Sequence, residues 1–161
     1  MVENGGEWKV KLTNEKKKVL KTKLAEYLKR SRAVSRPLAV TVKRVNEIVR
    51  GWINYFRIGM MKQFMEEFGQ WLRHKIRVIV IKQWKNPKTI YRNLSYLNRK
   101  YKNGFSHEDI FKVANSRLGW YKRSAMNVVN FIISKELLET KIKDSTGLLN
   151  PLSYYLKDVG I

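Results

Sequence analysis

A chain of 161 residues with 43% apolar side chains can bury a real core, which excludes a disordered basic tail, and 34 Lys and Arg against 13 Asp and Glu leave a formal charge of +21 that favours a polyanionic partner. The longest purely apolar run, Val78-Ile79-Val80-Ile81, is far short of the roughly 20 residues that cross a bilayer, so no membrane partner is expected. With no cysteine there is neither a disulfide framework nor a thiolate metal site, and the polar, acidic first residues do not read as a secretory leader.

After a short leader, Thr13 is the expected N-cap of a helix running to about Arg30, with Val19, Leu20, Leu24, Tyr27 and Leu28 inward. Lys16, Lys17, Lys18, Lys21 and Lys23 occupy its other faces. Residues 31–36 read as a basic connector, and Pro37 suits the first turn of a second helix reaching about Ile58. In that helix Val42, Val45, Val49, Trp52 and Phe56 recur at helical spacing, with Lys43, Arg50 and Arg57 opposite. Gly59 marks a break before a third and longest helix, which carries Met61, Phe64, Phe68, Trp71, Leu72, Ile76 and Ile79 inward and ends at about Trp84. Its β-branched residues 78–81 resemble a strand, but the polar flanks keep the helical register.

Pro87 ends that helix or opens the next, and Ile90, Leu94 and Leu97 indicate a short helix before the turn-rich residues 98–104. Ser106-His107-Glu108-Asp109 has the form of a capped helix start, continuing through Ile110, Phe111 and Ala114. A further helix is expected over residues 127–139, after which the region of Gly147 and Pro151 ends the chain loosely. The pattern predicts an all-α helical bundle.

The catalytic inventory is thin. His74 and His107 have no matched carboxylate beside them, and Glu66-Glu67 and Glu108-Asp109 are adjacent pairs that diverge on a helix. No catalytic residue, metal site or cofactor is therefore expected. Charge is distributed unevenly instead: no acidic residue occurs from Phe68 to His107, a span that holds Arg73, Lys75, Arg77, Lys82, Lys85, Lys88, Arg92, Arg99, Lys100 and Lys102.

Three blocks mix cations with aromatic and amide groups. Residues 82–94 interleave Lys82, Lys85, Lys88 and Arg92, which can neutralise phosphates, with Trp84 and Tyr91, whose rings can carry an unpaired base or a ribose. The alternative is that both rings are core and the cations an ordinary solvated face. In residues 50–57, Trp52 and Phe56 suit a core face, while Asn54 falls on the side of Arg50 and Arg57 and could bond a phosphate or base edge. Residues 114–123 are expected to present Asn115, Arg117, Lys122 and Arg123 around one loop, with one of Trp120 and Tyr121 anchored in the core and the other open.

Arg50-Gly51-Trp52-Ile53-Asn54-Tyr55-Phe56, the block 82–94 and Ala114-Asn115-Ser116-Arg117, in this order, resemble the C-terminal part of bacterial group II intron-encoded reverse transcriptase/maturases. The resemblance covers roughly residues 35–140 and implies the maturase-specific X domain, equivalent to the polymerase thumb. It implies a three-helix thumb-like core with added C-terminal helices, preceded by a basic helix and connector over 1–34 and followed by a tail over 141–161. The implied partner is group II intron RNA, gripped so that it folds and splices. Lys82, Lys85, Lys88, Arg92, Arg117, Lys122 and Arg123 are the expected backbone contacts. Trp84, Tyr91 and Asn115 are the expected ribose or base contacts, with Arg50 and Arg57 in second place.

The chain carries no fingers, palm or Tyr-x-Asp-Asp motif and no cysteine-containing endonuclease segment, so polymerase and nuclease chemistry are not transferred and it is expected not to be an enzyme by itself. Its residues 98–104 are also longer than the short glycine turn of the pattern, which implies altered local contacts. Mg2+ would belong to the RNA or to a polymerase domain elsewhere, and the expected compartment is the bacterial cytoplasm or an organelle of bacterial descent. Two alternatives stay open: a thumb fragment or subunit that clamps template and primer beside a palm on another polypeptide, and a nonspecific basic nucleic-acid chaperone.

Overall fold

The computed structural model describes residues 2–4, 7–9, 14–56, 61–140 and 147–159. Where only a leader was expected, β1 (Val2–Asn4) and β2 (Glu7–Lys9) pair antiparallel, Val2 opposite Lys9 and Asn4 opposite Glu7. Helix α1 (Asn14–Tyr27) buries Leu20 and Leu24, with Leu28 buried just beyond its end. Val19, expected inward, is exposed, because it lies about 100° around the helix from Leu20 and off the stripe that Leu20 and Leu24 define. The helix stops before Arg30, and a single turn, α2 (Arg30–Ala33), follows. Arg36 closes this junction: its guanidinium donates to the Tyr27 carbonyl and lies 3.8 Å from the Tyr27 ring centroid. Thr13, Arg57 and Gly59, expected as a cap, a contact and a break, lie outside the described residues.

Helix α3 (Leu38–Phe56) buries Val42, Val45, Val49 and Ile53, leaving Trp52 and Phe56 half-buried at the edge of the stripe. Helix α4 (Lys62–Trp84) supplies much of the core through Phe64, Phe68, Leu72, Ile76 and Ile79. Residues 78–81 are helical and all buried, so neighbours enclose α4 there on every face and packing overrides the strand preference of Val and Ile. The helix ends at Lys85, whose φ of 68° is left-handed.

Asn86 then caps α5 (Pro87–Lys100) by accepting from the Thr89 N–H at 2.9 Å, with Pro87 at the first helical position. The stripe of Ile90, Leu94 and Leu97 lies inside it as expected, and the helix runs on to Lys100, into the residues expected to turn. Asn98 fastens the following turn, donating to the Phe105 carbonyl at 3.0 Å and accepting from its N–H at 3.1 Å.

Ser106 and Asp109 form a reciprocal capping box at the start of α6 (His107–Ala114). Two short helices follow, α7 (Trp120–Ser124) and α8 (Asn127–Ile132), then α9 (Lys135–Glu139). The single helix expected over 127–139 is thus broken. Ser134 caps α9 by accepting from the Leu137 N–H at 3.1 Å, and the freed Ile133 carbonyl accepts from Arg77 Nε at 2.7 Å.

The loose chain end is also corrected: α10 (Pro151–Val159) packs on α4 and α3. Its approach is held by Asn46, buried in α3, which donates to the Gly147 carbonyl at 2.9 Å and accepts from the Leu149 N–H at 2.8 Å. Apart from the hairpin, the described residues are helices and their connections, an all-α helical bundle.

Candidate nucleic-acid interface

The block 82–94 straddles the end of α4 and the start of α5, and α5 packs against α6. That packing brings block 82–94 and the start of block 114–123 together. Asn86, Pro87, Lys88, Tyr91, Phe111 and Asn115 line one cleft, and Tyr91, His107, Glu108, Phe111 and Lys112 line a recess beside it. Lys88 and Tyr91 share a face of α5 at i and i+3, and Arg92 follows Lys88 by one turn. The Tyr91 hydroxyl is 3.0 Å from His107 Nδ1, and the Phe111 ring stands edge-on to Tyr91 at 6.4 Å between centroids. Asn115 donates to the Phe111 carbonyl at 3.0 Å, which fixes its carboxamide at the rim. Phe111 is 58% exposed. The open Phe111 ring beside the half-buried Tyr91, rimmed by an ammonium and a carboxamide, can stack a base or sugar and bond its polar edge.

The other expected contacts lie apart from this cleft. Trp84 is half-buried and packs on the core, whereas Lys85 and Arg92 are exposed and Lys82 half-buried. Gln83, from the same block, donates to the Arg36 carbonyl at 2.9 Å and ties the α2–α3 connector to α4. Arg117 and Lys122 are exposed, but Arg123 donates to the Ser116 and Leu118 carbonyls and lies 4.9 Å from the Trp120 ring centroid, so it braces the loop. Trp120 packs against the core, while Tyr121 is 52% exposed and lies between His74 and Lys75, at 4.1 and 5.6 Å. Arg50 is exposed and lines a different recess, with Asn46, Glu139 and residues 147–150. Asn54 accepts from the Tyr154 hydroxyl at 2.9 Å, which ties it to α10.

Sequence reasoning missed two basic surfaces. The lysines of α1 cover an aromatic row: Lys16 lies over Phe56, Lys17 over Phe64 and Lys21 over Trp71, at 5.9, 5.3 and 5.8 Å. Their spacing on α1 was a readable signal, but the rings opposite them belong to other helices. The second surface is on α4, where Arg73, His74 and Arg77 face α8 and α9.

Burial first, then the neighbouring Arg73 charge, lowers the Arg77 pKa to about 10, against a smaller raising effect of Glu136. Arg73 is lowered by burial against raising effects of Glu139 and Glu136. His74 is lowered by burial and then by Arg77 and Lys75, against a smaller raising effect of the Tyr121 backbone. A histidine held below its unfolded value resists protonation only in the folded state, so the unfolded state binds more protons as pH falls through about 6.5. Stability is therefore expected to be full above that pH and to decline below it. Melting curves between pH 7.5 and 5.5 should show a steeper loss in the parent than in His74→Gln, and equal slopes would remove His74 as a cause.

Among the described residues no helix is long and apolar enough to cross a membrane, and no group of three or more His, Asp and Glu could hold a metal ion. What remains is a strongly basic helical domain with open aromatic side chains among its cations. Residues 17–101, more than half of the chain, match the model of the group II intron, maturase-specific domain, and the chain belongs to that family. No match was found among curated proteins. Membership gives the chain a group II intron maturase role in general terms; such a domain is not a polymerase by itself.

Proposed function

We propose that the domain binds group II intron RNA and promotes its folding and splicing by holding backbone phosphates in place, while the RNA performs the chemistry. The observation that carries this reading is the α5–α6 cleft, where Lys88, Tyr91, Phe111 and Asn115 meet beside a stretch of chain free of acidic residues. Lys82, Lys85, Arg92, Arg117 and Lys122 extend the phosphate contacts, and Tyr91, Phe111 and Asn115 take an unpaired nucleotide. No cofactor of the protein's own enters the scheme, and Mg2+ is assigned to the RNA. The compartment is the one in which such introns are spliced, the bacterial cytoplasm or an organelle descended from bacteria.

The chain is expected to bind intron RNA with an affinity that falls steeply with salt, by a logarithmic slope of about 0.7–0.9 per phosphate neutralised. Filter binding across a salt series measures it. A flat dependence would count against the reading, and equal affinity for any DNA duplex would favour a nonspecific chaperone. Tighter binding to a template–primer duplex than to intron RNA, with primer extension restored by a separate palm subunit, would favour a polymerase thumb.

Phe111→Ala separates stacking from charge. The ring is mostly exposed, so melting should stay within about 0.5 kcal/mol of the parent. Affinity for RNA with unpaired segments should drop by about 1–3 kcal/mol, the range for one lost base-stacking ring. Unchanged affinity would remove the cleft from the interface.

A further inference from the structure

Helix α4 sets Arg73 and Arg77 one turn apart on the same face as His74, and Asn130, Ser134 and Lys135 close the recess from α8 and α9. Arg77 is only 8% exposed. Its Nε–H is used on the Ile133 carbonyl at 2.7 Å, which orients the guanidinium, and no acceptor among the described residues takes its remaining N–H groups. Gly69 leaves room for Arg73, since a Cβ there would stand 3.0 Å from Arg73 Nη1. His74 Nε2 is buried without a hydrogen-bond partner.

The charges around the recess do not balance. Arg73, Arg77 and Lys135 line it with one carboxylate, Glu136, and no carboxylate among the described residues comes within ion-pairing distance of either arginine. Glu139, whose charge acts on Arg73 more than that of Glu136, accepts from Asn150 at 2.8 Å. Removing a guanidinium from water without a counter-charge is costly. Two forked cations one turn apart match an anion with two equivalent oxygens, and Phe131, 63% exposed, forms part of the same wall.

We propose that this recess is a phosphodiester site, in which Arg73 and Arg77 each take one non-bridging oxygen of a single RNA phosphate and Phe131 supports the adjoining nucleoside. The inference rests on the RNA-binding reading and names an anchor for it that is separate from the α5–α6 cleft.

The test uses the full chain with sulfate as a probe at constant ionic strength, read on the histidine ring resonances. His74 is expected to shift saturably with sulfate while His107 stays unmoved in the same sulfate titration, and the His74 shift is expected to be lost when intron RNA displaces the sulfate. Arg73→Gln should melt like the parent, lose the sulfate response, bind intron RNA at least tenfold more weakly and flatten the salt slope by about one phosphate. Arg77→Lys, which keeps the charge but not the fork, should weaken both responses. A sulfate response unchanged in Arg73→Gln would overturn the site. So would unchanged RNA affinity and slope in that variant, and there the RNA-binding reading would survive. Saturation by sulfate that intron RNA does not reverse would assign the recess to some other anion and likewise overturn the proposal. A parent chain with no affinity for intron RNA would remove both.

Discussion

Gly147→Ala is expected to undock the C-terminal helix. A Cβ at this position would overlap the backbone carbonyls of Glu139 and Thr140, which belong to the end of α9 and have no flexible tip to move aside. The chain must then shift where it is most closely held. The Gly147 carbonyl accepts from Asn46, Leu148 N–H donates to the Leu138 carbonyl at 2.7 Å, and Leu149 N–H donates back to Asn46. Losing the pairing of a buried carboxamide costs about 1–3 kcal/mol, and forced overpacking costs about as much again. Tyr155 and Leu148, both buried, would be uncovered along with the α4 surface beneath α10.

Gly51→Ala is the control. It lies in α3 with nothing within 4 Å of its would-be Cβ, and alanine there should stabilise by up to about 1 kcal/mol. Thermal melting of both variants, with hydrogen exchange across residues 151–159, measures the contrast. Equal melting temperatures would show that the α10 contact contributes little.

Elements set by local rules were readable in the chain. The capped start at Ser106 and the helical spacing from Phe64 to Ile79 each depend on residues within a turn or two, and the structure places helices there, while Pro87, which the chain alone leaves as a stop or a start, opens α5. What escaped depends on distant partners. Gly147, Asn150 and Pro151 carry turn signals, and nothing near them shows that Asn46, a hundred positions earlier, holds the segment against α3. The break at residues 133–134 mixes both kinds: the Ser134 cap is a local signal, whereas the Arg77 donor that stabilises the break comes from α4.

The candidate site divides in the same way. Lys88 and Tyr91 share a helix face that spacing alone reveals, but only the packing of α5 on α6 sets Asn115 and Phe111 beside them. In the chain Phe111 is only one more apolar residue of its helix. Ile110, Val113 and Ala114 already fill the inward stripe, and Phe111 is the apolar residue left over. Composition treats every amide and cation in a basic block alike, so it could not separate Gln83 and Arg123, which brace the backbone, from Lys85 and Arg92, which are open.

Trp84→Ala should lower stability by about 3 kcal/mol, toward the low end for a buried tryptophan because the ring is only half-buried. The ring belongs to the last turn of α4, where Ile81 and Ile79 are fully buried, and its loss would open a cavity at the junction with α5. Lys82→Ala, Lys85→Ala and Arg92→Ala should behave in the opposite way. No ion pair or hydrogen bond holds these side chains among the described residues, so each should melt within about 0.5 kcal/mol of the parent. Each should still weaken RNA binding and reduce its salt slope by about one contact. Melting temperature and RNA affinity measured on the same four proteins give two independent axes. If Trp84 is a packing residue, it moves along the stability axis, while the three cations move along the binding axis. Full stability in Trp84→Ala together with lost affinity would transfer the ring to the RNA surface, and unchanged affinity in all three charge variants would sink the phosphate contacts proposed for this block.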